Sequence, residues 1–153
     1  MKKEALALSN AFFRYLETER RYSQNTIKNY QRDLKHFSDH LQVKKLSLWA
    51  EVKPHHIRTY ASQIFVEGLG AKSIQRRLSA IRSFMNYLLR EGMIKNNPAE
   101  GVKTPKAPKK LPGILDIEQI NQLLNIQETD PVSLRDKAIM ELIYSSGLRL
   151  SEI

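Results

Sequence analysis

The chain has no cysteine among its 153 residues, and this absence excludes both a disulfide framework and a thiolate metal site. It also lacks an apolar run of the roughly 18–20 residues that a membrane-spanning helix requires. The N-terminus carries two lysines but no long apolar stretch and no cleavage motif, so no signal peptide is predicted. Together these absences favour a cytoplasmic protein with no membrane partner.

Metal-ligand patterns are missing as well. The four histidines are His36, His40, His55 and His56, and none has an acidic or cysteine partner at ligand spacing. We therefore predict no metal site. The composition, with 41% hydrophobic and 27% charged residues, is ordinary for a globular protein. The length allows one compact domain, or a small domain and part of a second.

Positive charge is concentrated in the front part of the chain. The net charge is +9, and residues 1–101 contain 18 Lys and Arg against 9 Asp and Glu. Residues 102–110 add four lysines and no acid, whereas residues 111–153 contain 3 basic and 7 acidic residues. This distribution favours a polyanionic partner. A lysine-rich surface that only aids solubility is the alternative.

Apolar residues recur at helical spacing almost throughout, and no alternating pattern of useful strand length is present. The first apolar face spans residues 6–16, and Ser23 is a plausible N-cap for a second helix. A third helix is predicted from Pro54 to about residue 66, and a fourth from residue 71 to a stop at Gly92. The pattern predicts an all-α fold that begins with a four- to five-helix domain.

Prolines and lysines interrupt this periodicity from residue 97 to residue 113, which predicts an extended linker. Two helices follow, one beginning at Asp116 and one capped by Asp130 and ending at Gly147. We expect a helical domain at 1–101, a linker at 102–113 and the start of a second domain at 114–153. Since the chain stops as another helix begins, we also expect it to be the front of a longer protein.

The second and fourth predicted helices carry basic and short polar residues on their outer faces. Two basic helices side by side suit a DNA groove and its flanking phosphates. Solvated helix faces with no ligand are the alternative interpretation. The predicted DNA-binding residues are Ser23, Asn25, Thr26, Lys28, Arg32, Lys35, Lys72, Ser73, Arg76, Arg77, Ser79 and Arg82.

The aromatic side chains lie mostly at core spacing. We interpret them as packing residues and not as base-stacking platforms. The set comprises Phe12, Phe13, Phe37, Trp49, Phe65, Phe84 and Tyr87.

Arg149 lies between two leucines, just after the glycine that ends the last long helix. An arginine in that position is expected to be partly buried and to need an anionic partner. One interpretation is a guanidinium that binds a phosphate, with Glu152 orienting it. The other is an Arg149–Glu152 pair that only caps the helix junction.

Several segments resemble the tyrosine recombinases of the phage-integrase family. Residues 146–152, Ser-Gly-Leu-Arg-Leu-Ser-Glu, resemble the first arginine box of that family. Residues 23–34 and 73–84 are similar to two helices of its N-terminal domain. Residues 97–112 match its interdomain hinge, and residues 135–138 match the helix ahead of the arginine. Within the family, the bacterial Xer subgroup is the most similar.

The resemblance implies a SAM-like core-binding domain that grips DNA through its second and fourth helices, followed by a catalytic domain. It implies cleavage by a tyrosine through a 3′-phosphotyrosyl intermediate, without a cofactor. Arg149 would hold the attacked phosphate and Glu152 would support it. The implied partners are a double-stranded DNA recombination site and, in a homo- or hetero-tetramer, related recombinases. Chromosome dimer resolution is the implied role.

None of the six tyrosines stands in the sequence context of the family's nucleophile. The chain is therefore predicted to bind DNA and to cleave nothing by itself. Three alternatives stay open: an integrase of a phage, transposon or integron, a non-catalytic helical DNA-binding module, and a helical protein-interaction domain with an incidental basic surface.

Overall fold

The structure is a computed structural model that describes residues 3–106, 113–127 and 130–153, with the side chains of residues 3 and 4 left aside. It divides into two compact units, Met1–Pro108 and Lys109–Ile153. The α-helices are α1 (Lys3–Thr18), α2 (Gln24–Val43), α3 (Pro54–Val66), α4 (Ala71–Arg90), α5 (Ile117–Leu124) and α6 (Pro131–Ser146). Since the described residues include no strand, the predicted all-α fold is confirmed.

Helix α4 lies at the centre of the first unit and packs against α1, α2 and α3. Its buried positions form one wide apolar face, as the spacing predicted. They are Ile74, Leu78, Ala80, Ile81, Phe84, Met85, Tyr87 and Leu88.

An aromatic cluster joins α1 and α4 to the connection before α3. The ring of Phe84 lies 5.2 Å from that of Phe12 and 4.8 Å, edge-on, from that of Trp49. The indole N–H of Trp49 donates a 2.9 Å hydrogen bond to the carbonyl oxygen of Ala5, so this polar atom is satisfied inside the core. The prediction that these three aromatics pack in the core is confirmed.

Two details of the core differ from the predictions. Phe65 was assigned to packing, but its side chain is 63% exposed, because it lies near the end of α3 and outside the row of buried residues Ile57, Tyr60 and Ile64. The short 3₁₀ helix Trp49–Glu51 was not predicted. Three residues are too few to show a hydrophobic period, so only the buried indole marks this segment as part of the core.

The predicted helix ends are confirmed. Ser23 caps α2, accepting a 3.3 Å hydrogen bond from the backbone N–H of Thr26. Pro54 occupies the first turn of α3, where its missing N–H costs nothing. Gly92 follows α4 with a φ of 70°, a left-handed conformation that glycine adopts without strain.

The segment that follows α4 is bound to the helical core of the first unit. Asn97 donates a 2.6 Å hydrogen bond to the side-chain oxygen of Asn86 and accepts a 2.8 Å bond from the N–H of Ala99. Ala99 and Val102 are buried in the core of the first unit. The predicted linker therefore begins as a segment held on the helical core, while Lys109 and Lys110 lie outside the described residues.

The second unit contains α5 and α6, which contact each other. The predicted cap of α6 is confirmed, since Asp130 accepts from the N–H of Val132 at 2.8 Å. Asp116, which was predicted to begin α5, is its N-cap and accepts from the N–H of Gln119 at 2.8 Å. Gly147 ends α6 with a φ of 66°. In 113–127 and 130–153 no residue is buried, and apolar side chains such as Ile117 (72% exposed) face solvent.

Within the stretches of chain that the structure describes, no helix has both the length and the apolar character needed to cross a bilayer.

Candidate nucleic-acid interface

The basic residues of α2 lie on its solvent side. Lys28, Arg32 and Lys35 are exposed, and Arg32 donates a 2.8 Å hydrogen bond to the side-chain oxygen of Asn29. Since this row stands opposite the buried face of α2, the predicted amphipathic pattern is present. The row is able to contact a polyanion, and no salt bridge in the described chain engages it.

The N-terminal half of α4 presents a second polar strip. Lys72 and Ser79 are exposed, and Arg76, between them at helical spacing, has a side chain that is 34% exposed. Ser73 lies at the edge of this strip and is half-buried. The strip therefore combines one free lysine with hydroxyls and an arginine that is partly held in place.

Asp33 of α2 holds that arginine. Its side chain is 0% exposed, and its Oδ2 atom pairs with the terminal nitrogen of Arg76. The Nε atom of Arg77 lies 3.8 Å from Oδ1, close enough for an ion pair and too far for a hydrogen bond. Burial raises the pKa of the Asp33 carboxyl, while the charges of Arg76 and Arg77 oppose that rise.

The prediction placed Arg77 among the DNA-binding residues, and the structure places it in the interior. Its side chain is 15% exposed, and its guanidinium donates a 3.1 Å hydrogen bond to the hydroxyl of Tyr60 on α3. Burial raises the pKa of Tyr60, with the neighbouring Arg77 acting against it. Arg77 thus ties α2, α3 and α4 together and is poorly placed to touch a ligand.

Arg82 is also engaged inside the first unit. Its guanidinium donates a 3.3 Å hydrogen bond to the carbonyl oxygen of Val102, and its own carbonyl accepts a 3.3 Å bond from Asn97. Gln75 adds a 2.7 Å bond to the carbonyl oxygen of Pro105. These bonds hold the segment after α4 along that helix, so Arg82 has a structural role that its sequence position did not reveal.

The far end of the basic row on α2 turns away from α4. Lys35 lines a cavity of ≈ 330 Å³ together with Leu6 and Phe13, which puts it on the α1 side of α2. Asp33 marks the α4 side. Residues four and seven positions before Asp33 lie on the same side of the helix as Asp33. Asn29 and Thr26 therefore border the α4 strip.

Asn29 is therefore a candidate that the sequence analysis missed. In the sequence, only its position four residues before Asp33 distinguishes Asn29. That position indicates the side facing α4 only once the pairing of Asp33 with Arg76 is known. Asn25 and Ser23, at the start of α2, are exposed. The polar surface at the α2–α4 contact comprises Asn25, Thr26, Asn29, Arg32, Lys72, Ser73, Arg76 and Ser79, and we call it the α2–α4 face.

Arg149 and Glu152 pair with each other in the second unit. The guanidinium lies 3.0 Å from Oε1 of Glu152, whose other oxygen accepts a 2.8 Å bond from the backbone N–H of Arg149. These bonds lower the pKa of Glu152, the backbone bond first. The arginine side chain is 82% exposed, so the expected partial burial is wrong for this structure. The neighbouring Leu148 and Leu150 are themselves exposed and do not bury the guanidinium.

Among the described ranges, no three His, Asp or Glu side chains converge so as to hold a metal ion.

Comparison with known proteins gives two family matches in chain order. A model described as "Phage integrase, N-terminal SAM-like domain" matches residues 10–92. A model described as "Phage integrase family" matches residues 114–153.

Curated relatives include tyrosine recombinases XerC. The protein of Actinobacillus pleuropneumoniae serotype 7 is 49% identical over 142 residues, which cover 93% of this chain and 46% of the relative. That of Salmonella typhi is 42% identical over 154 residues, covering 100% of this chain and 51% of the relative. The chain thus spans about half the length of the curated relatives it matches.

Among solved structures, one of the Tn1549 transposon integrase in complex with a circular intermediate DNA is similar, with a TM-score of 0.66. The match covers 95% of this chain and 46% of the integrase chain, at 16% identity, and so concerns the fold alone. The SAM-like model matches more than half of the chain, and the integrase model follows it in order. On these matches, the chain belongs to the phage-integrase family of tyrosine recombinases.

Proposed function

We propose that this chain is the DNA-binding front portion of a site-specific tyrosine recombinase, and that the α2–α4 face lies against duplex DNA. The observation that carries the proposal is a row of exposed or partly exposed hydrogen-bond donors on α4, beside the polar side of α2. The row consists of Lys72, Arg76 and Ser79. Lysine and arginine supply the phosphate contacts, and hydroxyl and amide groups add hydrogen bonds.

We propose the division into a DNA-binding domain at 1–101, a basic linker at 102–113 and the start of a catalytic domain at 114–153. The two family matches, at 10–92 and 114–153, support this division. The exposed apolar surface of α5 and α6 also supports it, because a catalytic domain would need those side chains for its own core.

In the complete enzyme, Arg149 is proposed to bind the phosphate that a tyrosine hydroxyl attacks. The tyrosine oxygen bonds to phosphorus and the 5′-hydroxyl of the broken strand leaves, so the bond energy is kept in a 3′-phosphotyrosine. A fixed guanidinium stabilises the charge that develops on the phosphate oxygens. Glu152 holds Arg149 at 3.0 Å, which supports its assignment as the orienting residue.

The proposed role is chromosome dimer resolution in the cytoplasm, within a tetramer of this enzyme or of this enzyme with a related recombinase. The identity to XerC recombinases over nearly the whole chain supports this role. The fold it shares with a transposon integrase keeps mobile-element integration as the second candidate.

The first test is the affinity of the 153-residue chain for a duplex of about 30 base pairs across a salt series. We expect the affinity to fall steeply with salt. Lys72→Ala should weaken binding to all sequences and reduce the salt slope by about 1. Lys44→Ala removes an exposed lysine at the end of α2, outside the α2–α4 face, and is the matched control.

Two outcomes would contradict the proposal. One is binding that does not change with salt, or no binding at low salt. Either result would mean that the basic surface aids solubility and does not bind DNA. The other is an equal loss of affinity in Lys72→Ala and Lys44→Ala, which would mean that the positive charge acts without a defined face.

A further inference from the structure

Asp33 is an unusual residue for a helical core. It is the only acidic side chain that is buried in the described part of the chain, and it is 0% exposed. A buried carboxylate with two arginine partners is weak evidence of a stabilising role, because apolar residues of similar volume often stabilise a core as well or better. Asp33 lies on the side of α2 that faces α4, so it is placed to orient side chains of α4.

The two arginines that meet Asp33 are not equivalent. Arg77 is 15% exposed and also bonds to Tyr60, so its guanidinium is fixed within the interior. Arg76 is 34% exposed and uses one terminal nitrogen on Asp33. Its remaining N–H groups have no partner in the described chain. One edge of the Arg76 guanidinium is therefore anchored, and other donors of the same plane remain available.

An anchored planar fork differs from a free lysine in what it recognises. The O6 and N7 atoms of guanine offer two acceptors in the major groove at the spacing of an arginine fork. Because Asp33 fixes the side chain before binding, little rotamer freedom is lost on contact. A phosphate contact needs no such fixing, as the exposed Lys72 one helical turn away illustrates.

We propose that Arg76 reads a guanine in the major groove and that Asp33 is the positioning residue that orients it. This inference rests on the proposed function, since it requires the α2–α4 face to meet DNA. It assigns sequence preference to Arg76, and leaves general affinity to Lys72 and the remaining polar residues of that face.

The test is selection by the 153-residue chain from a pool of random duplexes of about 30 base pairs, followed by sequencing of the bound fraction. The unaltered chain should enrich a motif containing a guanine, whose replacement weakens binding roughly 5- to 150-fold. Arg76→Lys keeps the charge and the partner but loses the fork. It should lose the preference at that one position and keep both the rest of the motif and the salt slope.

Asp33→Asn tests the positioning role. It should weaken the preference for guanine at the same motif position. The double variant Asp33→Asn/Arg76→Lys should lose no more of that preference than Arg76→Lys alone, since both changes disrupt the same contact. If Asp33→Asn does not fold, Arg76→Lys still tests the guanine contact. Arg14→Lys, on the exposed side of α1, is the matched control and should leave the motif unchanged.

An intact motif in Arg76→Lys would overturn the inference, as would an equal loss at every position. Unchanged preference in a folded Asp33→Asn would overturn the role of Asp33. These results differ from failure of the proposed function, in which the unaltered chain itself shows no salt-dependent binding and the inference falls with it.

Discussion

At the scale of single residues, burial separates side chains that the sequence treats alike. Phe84 is 0% exposed and contacts the rings of Phe12 and Trp49, whereas Phe65 is 63% exposed. Both are phenylalanines on helices, and both were expected to pack. The core that covers Phe84 comes from α1 and the Trp49 segment, whose approach no local pattern shows.

This difference gives a stability prediction. Phe84→Ala should lower the free energy of unfolding by about 3–5 kcal/mol, because it removes a fully buried ring and leaves a cavity. Phe65→Ala, as the matched exposed case, should change it by less than about 0.5 kcal/mol. Urea unfolding followed by circular dichroism measures both. Similar losses in the two variants would contradict the assigned core.

A second prediction concerns His40 on α2. It lies half-buried, with its ring 5.2 Å from that of Tyr60. Burial lowers the pKa of His40 and Lys44 adds to this, while Gln63 and Glu67 oppose it. Below its ordinary pKa of 6.5 the unfolded chain therefore binds more protons at this site than the folded one.

The contribution of His40 to the free energy of unfolding should accordingly fall as the pH is lowered from about 7.5 to about 5.5. The His40→Gln variant should lose part of this slope, because its amide does not titrate. Unfolding in urea at a series of pH values measures the effect. Parallel pH profiles for the variant and the unaltered chain would show that His40 does not contribute.

At the scale of elements, the helix starts of α2 and α4 offer a direct comparison. Ser23 caps α2 with φ −60° and ψ 147°, and Gly70 starts α4 with nearly the same backbone, φ −62° and ψ 146°. Only Ser23 supplies a side-chain oxygen to the first turn. A β-carbon added at Gly70 would meet no atom within 4 Å.

The same cap can thus be removed from one helix and added to the other. Ser23→Ala should destabilise the chain by about 1 kcal/mol, since an N–H of the first turn loses its acceptor. Gly70→Ser should stabilise it by several tenths of a kcal/mol to about 1 kcal/mol, through the new cap and a less flexible unfolded chain. Thermal unfolding compares them. A loss of stability in Gly70→Ser would contradict the equivalence of the two caps.

At the scale of the whole molecule, the two units differ in what they bury. Eight residues of α4 lie in the core of the first unit, whereas α6 has none that are buried. Most of the stability of a protein helix comes from the tertiary packing of its apolar face. The amide groups of α6 should therefore open more often than those of α4.

Hydrogen exchange of the 153-residue chain tests this difference. We expect exchange in α6 to be at least about tenfold faster than in α4, because opening α6 exposes little additional apolar surface. The stretch from Leu78 to Leu88, which contains most of the buried residues of α4, should be the slowest. Equal protection in α4 and α6 would show that the second unit has a stabilising core of its own.

The sequence by itself determined the helices, their capping residues and the family to which the chain belongs, since these depend on residues a few positions apart. Ser23, Pro54, Asp130 and Gly147 all act on their own or the adjacent turn. For the same reason, two basic helix faces could be predicted from spacing alone.

Only the tertiary structure decided which of those basic residues are free. Arg76, Arg77 and Arg82 are equivalent in an α4 sequence pattern, yet Arg76 is 34% exposed, Arg77 is only 15% exposed and Arg82 holds the following segment. Their partners lie 43, 17 and 20 residues away, on other elements. The charge of an arginine is written in the sequence, but its availability depends on which carboxylate, hydroxyl or carbonyl the packing of helices brings to it.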